Sequence, residues 1–317
     1  MTDKSGFHIL INGRSGAALK LGRDVIEVAV ANSGLEVHAL DFVEPDDFTS
    51  SIEGLAHSGH NLMIAGGDGT IMKSVEPLMK AKIPCAFLPM GTMNLLAQDL
   101  NIPVNISDAL VAYAQGYKKT AIDVAMVNNI PFLCAAGLGV MPEASCFREE
   151  NRGQADIMLM PRLTLFVFDR LNHDHRRSFK LRMDGRNEHV RTTSLVISNN
   201  EFAIPEPEDT ILANGFKKDT LRDGHLGIYT ATPRTTWDRL RFLAKLRLGS
   251  WKSDPVINEY SARGLTVYSR RREELISLDG ETCTLKTPLR FQIKPRSLAV
   301  LVPKPERPKA DDDSKAS

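Results

Sequence analysis

The chain has 317 residues, 42% of them hydrophobic and 25% charged, with a formal net charge of +1. That length accommodates two domains and a substantial core in a soluble globular protein, and the near-neutral balance gives no footing for nucleic acid or for an acidic partner. The four cysteines, Cys85, Cys134, Cys146 and Cys283, are too scattered for a disulfide framework or a zinc site and suit reduced thiols in a cytosolic protein.

The opening stretch MTDKSGFHILING has no apolar run of signal-peptide length. No segment approaches the roughly 18 to 20 apolar residues that span a bilayer. The expectation is a cytoplasmic protein, not embedded in a membrane but free to visit its surface.

Strand-like and helix-like pieces alternate first. FHILIN (Phe7 to Asn12) ends in GRSG and is followed by a helical stretch from about Ala17 to Asn32. LEVHALDF precedes a weaker helix from Phe48 to His57. NLMIAGG and CAFLPMG each lead into a helix, and VNISDALVAYAQG reads as another, with Ser107 and Asp108 near its start. This alternation implies βαβ units and a mainly parallel sheet.

From about Lys119 the pieces become short and β-rich, with turn signals at Asp184-Gly185 and Asp279-Gly280. They predict an antiparallel sheet or sandwich, interrupted by helices near Ile157 to Leu171 and Thr235 to Leu248. The fold class expected is therefore α/β: a βα domain over residues 1–122 and a β-rich domain over 123–303, whose last strands are free to pack back on the first. The polar, proline-rich tail, 304–317, is expected to be disordered.

Ligands gather at the carboxyl ends of strands in parallel α/β sheets. Three glycine-bearing loops fall at such places: NGRSG (Asn12 to Gly16), GGDGT (Gly66 to Thr70) and PMGTMN (Pro89 to Asn94). Glycines admit a phosphate close to backbone N–H groups, and a following helix start adds positive partial charge. Thr70 and Thr92 are placed as helix N-caps or as hydroxyl donors to phosphate. Asp68 would repel a phosphate unless a cation lay between them, so Mg²⁺ bridging Asp68 and a nucleotide is the economical reading. Any one loop reads equally well as a turn with a cap; three after successive strands do not. Neither a G-x-x-x-x-G-K-[ST] loop nor a helix-opening G-x-G-x-x-G occurs.

GGDGT followed by PMGTMNLLAQDL resembles the diacylglycerol kinase catalytic domain of the bacterial lipid-kinase and sphingosine-kinase-like group. LRDGHLGIYTATP and SLDGETCTLKTPLRFQIKPRSLAVLVP resemble the same family's later segments, so the likeness runs from about residue 7 to 303. It implies ATP bound by Asn12, Ser15, Gly16, Gly66, Gly67, Asp68, Gly69, Thr70, Gly91, Thr92 and Asn94. It implies a lipid hydroxyl deprotonated by Asp279, with Glu281 beside it; from its turn chemistry alone, Asp279 is the first residue of a hairpin. It also implies a structural Mg²⁺ held by Asp223 with backbone oxygens of Thr220 and His225. Arg222 and Gly227 stand where that family usually carries acids, Gly13 replaces a proline, Met72-Lys73 replaces Asn-Glu, and Leu95 replaces a further acid.

The enzyme alternative is an NAD kinase, which shares GGDGT; Asn200-Glu201 lies too far downstream for that family's second motif, and its chains lack the LDGE ending. A non-catalytic lipid- or nucleotide-binding protein of the same fold is the alternative from another class. His57-Ser-Gly-His60 and His173-Asp-His175 have no companion ligands and read as solvated. The basic segment around Trp237 carries Arg239, Arg241, Lys245, Arg247 and Lys252, and is read mainly as a packing helix, with transient membrane contact as the rival. A membrane lipid is the expected partner, peripheral membrane association the expected location, and a homodimer is left open.

Overall fold

The computed structural model describes residues 6–44, 46–56, 58–91, 93–151, 156–204 and 216–304. The segment expected to be a disordered tail lies, beyond Lys304, outside the described residues, as do His57 and Thr92.

In chain order, β1 (Phe7–Asn12) leads to α1 (Gly16–Leu21) and α2 (Arg23–Asn32). Next come β2 (Val37–Val43), α3 (Phe48–Gly54), β3 (Asn61–Gly66), α4 (Asp68–Ala81), β4 (Cys85–Pro89), α5 (Leu95–Asp99) and α6 (Ile106–Ala114). The single helix expected from Ala17 to Asn32 is two, because Gly22 at φ 84° leaves the helical region between them. Asn105 caps α6: its side-chain oxygen accepts the N–H groups of both Ser107 and Asp108.

The chain continues through β5 (Tyr117–Val127), β6 (Ile130–Phe132), β7 (Ala135–Gly139), α7 (Val140–Glu150), α8 (Asp156–Arg170), β8 (Arg177–Met183), β9 (Arg186–Thr192) and β10 (Ser194–Asn199). It closes with β11 (Leu226–Ala231), α9 (Thr236–Arg247), β12 (Ile257–Ala262), β13 (Gly264–Ser269), β14 (Glu273–Leu278), β15 (Glu281–Lys286) and β16 (Leu289–Pro303). Helix α7 is unexpected from its mostly polar sequence. Pro142 sits in its first turn, where a missing N–H costs nothing, and Val140 and Pro142 bury that end.

β1 to β4 pair in parallel in the order β2-β1-β3-β4. β3 and β4 are buried almost throughout, as strands covered on both faces must be. The same sheet runs on through β16, which meets β4 in parallel at Val300 and Cys85 and pairs antiparallel with β13 and β5. β8 and β9 extend it beyond β13. Among the described residues it has ten strands; a second sheet has six, ordered β12-β11-β10-β7-β14-β15 and antiparallel throughout.

Phe179, Leu181, Leu265 and Phe291 of the first sheet share a core with Leu138, Leu195, Ile228 and Ile276 of the second, which makes this region a sandwich. The parallel strands have their own core, which also takes in Leu298, Val300, Leu301 and Val302 of β16. A third cluster, with Phe202, Tyr229, Phe242 and Trp251, lies under α9. Among the described residues no helix is long and apolar enough to cross a membrane.

Candidate active site

β1, β3 and β4 are neighbours, so the three glycine loops at their carboxyl ends lie side by side. Side chains tie them together. Asn12 Nδ2 donates to Thr70 Oγ1 at 2.7 Å, joining the first loop to the second. Asp68 Oδ2 and Oδ1 accept the backbone N–H groups of Asn94 and Leu95 at 3.0 and 3.1 Å, joining the second to the third. Gly67 and Gly91 meet backbone to backbone: a Cβ on Gly91 would sit 2.9 Å from the Gly67 Cα. These glycines thus let two loops touch, as well as baring N–H groups at the start of α4.

Two of the candidate hydroxyls accept hydrogen bonds within the cradle and keep their own O–H to donate. Ser15 caps α1 by accepting the Ala18 N–H at 3.2 Å. Thr70 is not an N-cap; α4 is capped by Gly67, and Thr70 holds Asn12 instead. Asn94, at φ 47°, closes its own loop by accepting the Gly91 N–H and donating to the Gly91 carbonyl. Gly66 ends β3, Gly16 opens α1, and Thr92 lies outside the described residues.

The distant LDGE segment closes over this cradle. Asp279 and Gly280, at φ 49° and 94°, form the two-residue turn between β14 and β15. The Asp279 carboxylate accepts three backbone N–H groups from the link into β7: Leu133 on Oδ2 at 2.7 Å, then Cys134 and Ala135 on Oδ1 at 2.8 and 2.9 Å. Gly69 lies against Glu281, whose Oε1 would be 3.0 Å from a Cβ added there. Burial pushes the Asp279 carboxyl above its ordinary pKa against the pull of those donors and of the Lys218 ammonium. Asp68 is likewise raised, mainly by burial, and the charge of Asp279 adds to the rise. Two carboxylates from opposite parts of the chain thus share one poorly hydrated site.

Sequence reading missed Lys218 and Asp99. Their side chains are only 1% and 2% exposed and meet at 3.0 Å, while the Lys218 N–H also donates to Asp99. Burial disfavours the Lys218 charge, but Asp99, Cys134 and Asp279 together hold its pKa above the ordinary value. Asn199 is a second omission: its Nδ2 donates to the carbonyls of Asp123 and Leu133, fixing the strand end that holds Asp279. One of two adjacent lysines in FKKDT and an asparagine in ISNN carry no local signal of either role.

The loop assigned to a structural Mg²⁺ is built otherwise. Asp223 Oδ1 is taken by the Asn200 side-chain N–H and, at 2.9 Å, by the His225 N–H. His225 turns its Nδ1 onto the Asp223 carbonyl at 2.8 Å. The Gly224 N–H points at Asp123, and Arg222, Arg263 and Arg296 line the adjoining cavity. Both bonds fall on Oδ1, so the misfit of Asp223, Thr220 and His225 with a cation rests on the three arginines that line the same cavity. Among the described residues no trio of His, Cys, Asp or Glu is arranged to hold a metal.

Residues 6–127 match the family model of the diacylglycerol kinase catalytic domain. That segment, a little over a third of the chain, is similar to the diacylglycerol kinase catalytic domain. Across 250 residues the chain is 27% identical to an uncharacterized protein of Synechocystis sp., covering 77% of this chain and 55% of that one. It is 35% identical over 129 residues to a Yersinia pestis protein named "Probable lipid kinase YegS-like", covering 38% and 42%. The chain thus spans about half the length of the curated relatives it matches. A crystal structure of a diacylglycerol kinase from Bacillus anthracis superposes with a TM-score of 0.64 at 18% identity, over 94% of this chain and 97% of that one. At that identity the likeness establishes the fold. The glycine cradle lies wholly within the diacylglycerol kinase-like segment, whereas Asp279 and Glu281 come from outside it.

Proposed function

We propose that the chain is an ATP- and Mg²⁺-dependent lipid kinase that phosphorylates a hydroxyl of diacylglycerol or of a sphingoid or ceramide-type lipid. The observation that carries the reading is the approach of the Asp279 carboxylate and Glu281 to the loop of Asp68, across domains that share no local sequence. ATP lies along NGRSG, GGDGT and PMGTMN as its Mg²⁺ complex, its phosphates near the first turn of α4. Each Asp68 oxygen accepts one N–H and keeps a lone pair for the cation or its waters. Mg²⁺ held at Asp68 would neutralise charge on the phosphates being separated.

Asp279 acts as general base. Its Oδ2 accepts one backbone N–H, where Oδ1 accepts two, and so has more capacity left for the hydroxyl proton. Its raised pKa makes it a better proton acceptor than an exposed aspartate. The proton passes from the lipid oxygen to Asp279 as that oxygen forms its bond to the γ-phosphorus, and ADP leaves. Lys218, held by Asp99, offsets the negative charge of the region before the proton arrives.

Membrane contact falls to the outer face of α9 and to exposed Arg247, since the other basic residues of the segment are engaged. Arg241 pairs with Asp238 and Asp254, Lys245 bonds Ser253, Arg239 bonds the Phe168 carbonyl and Lys252 pairs with Glu259. Phe242 is buried beneath the helix, while Trp237, Leu240 and Leu248 are exposed on it. Such an apolar ridge inserts into a headgroup region.

The test is transfer of labelled phosphate from ATP to a panel of lipids in mixed micelles, with NAD as a parallel acceptor. Lipid labelling that requires Asp279 is expected; labelling of NAD instead, or nucleotide binding without any transfer, overturns the reading. Trp237 is 69% exposed and Trp251 4%, so vesicle binding through α9 should blue-shift the emission of the first. Unchanged emission in the presence of sedimenting vesicles removes α9 from the interface.

A further inference from the structure

The cavity beside Asp223, about 480 Å³ in volume, is lined by Arg222, Asp223, Gly224, Arg263, Ile293, Pro295 and Arg296. Three cationic side chains and one carboxylate face it. All three arginines are exposed. The hydrogen bonds they donate run through their backbone: Arg222 N–H to Thr220 Oγ1, Arg263 N–H to Asp184 Oδ2 and Arg296 N–H to Asp123 Oδ1. Among the described residues none of these guanidinium groups has an ion-pair partner. Arg14, by contrast, pairs with Glu44 and Arg241 with Asp254.

The walls of the cavity are fixed from behind. Asp123 is fully buried, and its carboxylate accepts the Gly224 N–H at 2.8 Å, the Arg296 N–H at 2.7 Å and the Asn200 side-chain N–H at 2.9 Å. The 222–224 turn and the 295–296 bulge of β16 are thereby clamped to one group. Arg296 is held at φ 48°, a left-handed conformation that a bulky residue rarely adopts without such support. Asp223, the carboxylate in the wall, accepts the Asn200 and His225 N–H groups on Oδ1. Three arginines outnumber the carboxylates of Asp223 and Asp123, and guanidinium forks match phosphate oxygens in geometry as well as charge.

We propose that this cavity is an anion site for a phosphate monoester or diester, occupying the place where a structural cation was expected. It is separate from the glycine cradle and independent of which acceptor the active site uses. Two sources present that chemistry, a phospholipid headgroup at the membrane surface and free phosphate in solution.

The full-length protein with its nucleotide site saturated by a non-hydrolysable ATP analogue is dialysed against labelled inorganic phosphate at constant ionic strength. Arg222→Gln is expected to weaken the site roughly tenfold, and Arg222→Gln/Arg263→Gln/Arg296→Gln to abolish it. The single variant alters one exposed side chain and keeps the test valid if the triple variant folds poorly. In a parallel arm, phosphatidylcholine vesicles with about 30% phosphatidylglycerol are co-sedimented with the same proteins. A loss confined to the vesicle arm identifies the lipid headgroup, and a loss in the phosphate arm identifies free phosphate. No loss in either arm overturns the proposal. So does thermal stabilisation by Mg²⁺ alone that Asp223→Asn removes, which would restore the cation reading.

Discussion

Asp184-Gly185 joins β8 to β9 and Asp279-Gly280 joins β14 to β15, each with positive φ at both positions (44° and 86°; 49° and 94°). Both are the primed two-residue turn that Asp-Gly favours. Asp184 is exposed, and its carboxylate accepts the Arg263 N–H at 3.1 Å. Asp279 instead takes three N–H groups from the segment entering β7 and lies within the field of Asp68. One dipeptide in one backbone conformation thus yields a strand connector in the first sheet and a perturbed carboxylate in the second. Turn chemistry sets where the side chain starts; the neighbours brought by other segments set what it does.

The largest expected difference is in turnover. Asp279→Asn should lower phosphoryl transfer by roughly 10² to 10⁴ while nucleotide affinity is kept, and Asp184→Asn should leave both unchanged. Steady-state labelling of the lipid product checks it, and equal behaviour of the two variants would erase the distinction.

Next comes the buried pair that surrounds only one of the turns. Lys218→Met leaves the Asp99 charge buried and unpaired and should destabilise the protein by about 3 to 5 kcal/mol in urea unfolding. Lys218→Met/Asp99→Leu should recover most of that loss. A double variant no more stable than the single one would mean that the loss comes from Lys218 itself rather than from an unpaired Asp99 charge.

Gly280→Ala and Gly185→Ala should each cost roughly 1 to 2 kcal/mol, because both force a Cβ into the left-handed region. Only Gly280→Ala should also lower turnover, since it displaces the Asp279 carboxylate. Matching denaturation and activity measurements on the two variants separate local strain from catalytic placement.

The smallest effect is on pH dependence. A raised Asp279 pKa means that the folded chain binds more proton than the unfolded chain between the ordinary aspartate value and the raised one. Stability contributed by the protonated form is therefore lost as pH rises through that interval. The acid limb of kcat/KM should lie above the ordinary aspartate range, because the base must be ionised. Asp279→Asn should flatten the stability profile there, and Asp184→Asn should not.

Much of the architecture was legible along the chain. The strand–helix alternation before Lys119, the antiparallel sandwich after it, and both Asp-Gly turns follow from local periodicity and turn chemistry. The exceptions have local causes too: Gly22 divides one helix, and polar α7 forms where burial of Val140 and Pro142 holds its first turn. The site was legible only in part. GGDGT announces a bare loop, but nothing in it reveals that Asp68 spends its carboxylate on the N–H groups of Asn94 and Leu95. Likewise nothing in the basic segment around Trp237 reveals that Arg241, Lys252 and Arg239 are held by Asp254, Glu259 and the Phe168 carbonyl.

The sequence by itself determined the elements, the glycine loops and the turn that carries Asp279, because φ preferences and apolar spacing act over a few residues. Only the tertiary structure decided that Asp279 and Glu281 meet the loop of Asp68, that Lys218 is buried against Asp99, and that Arg222, Arg263 and Arg296 share one cavity. Charge and hydrogen bonding act through space, and the folded sheets bring these groups together from segments that local rules leave independent.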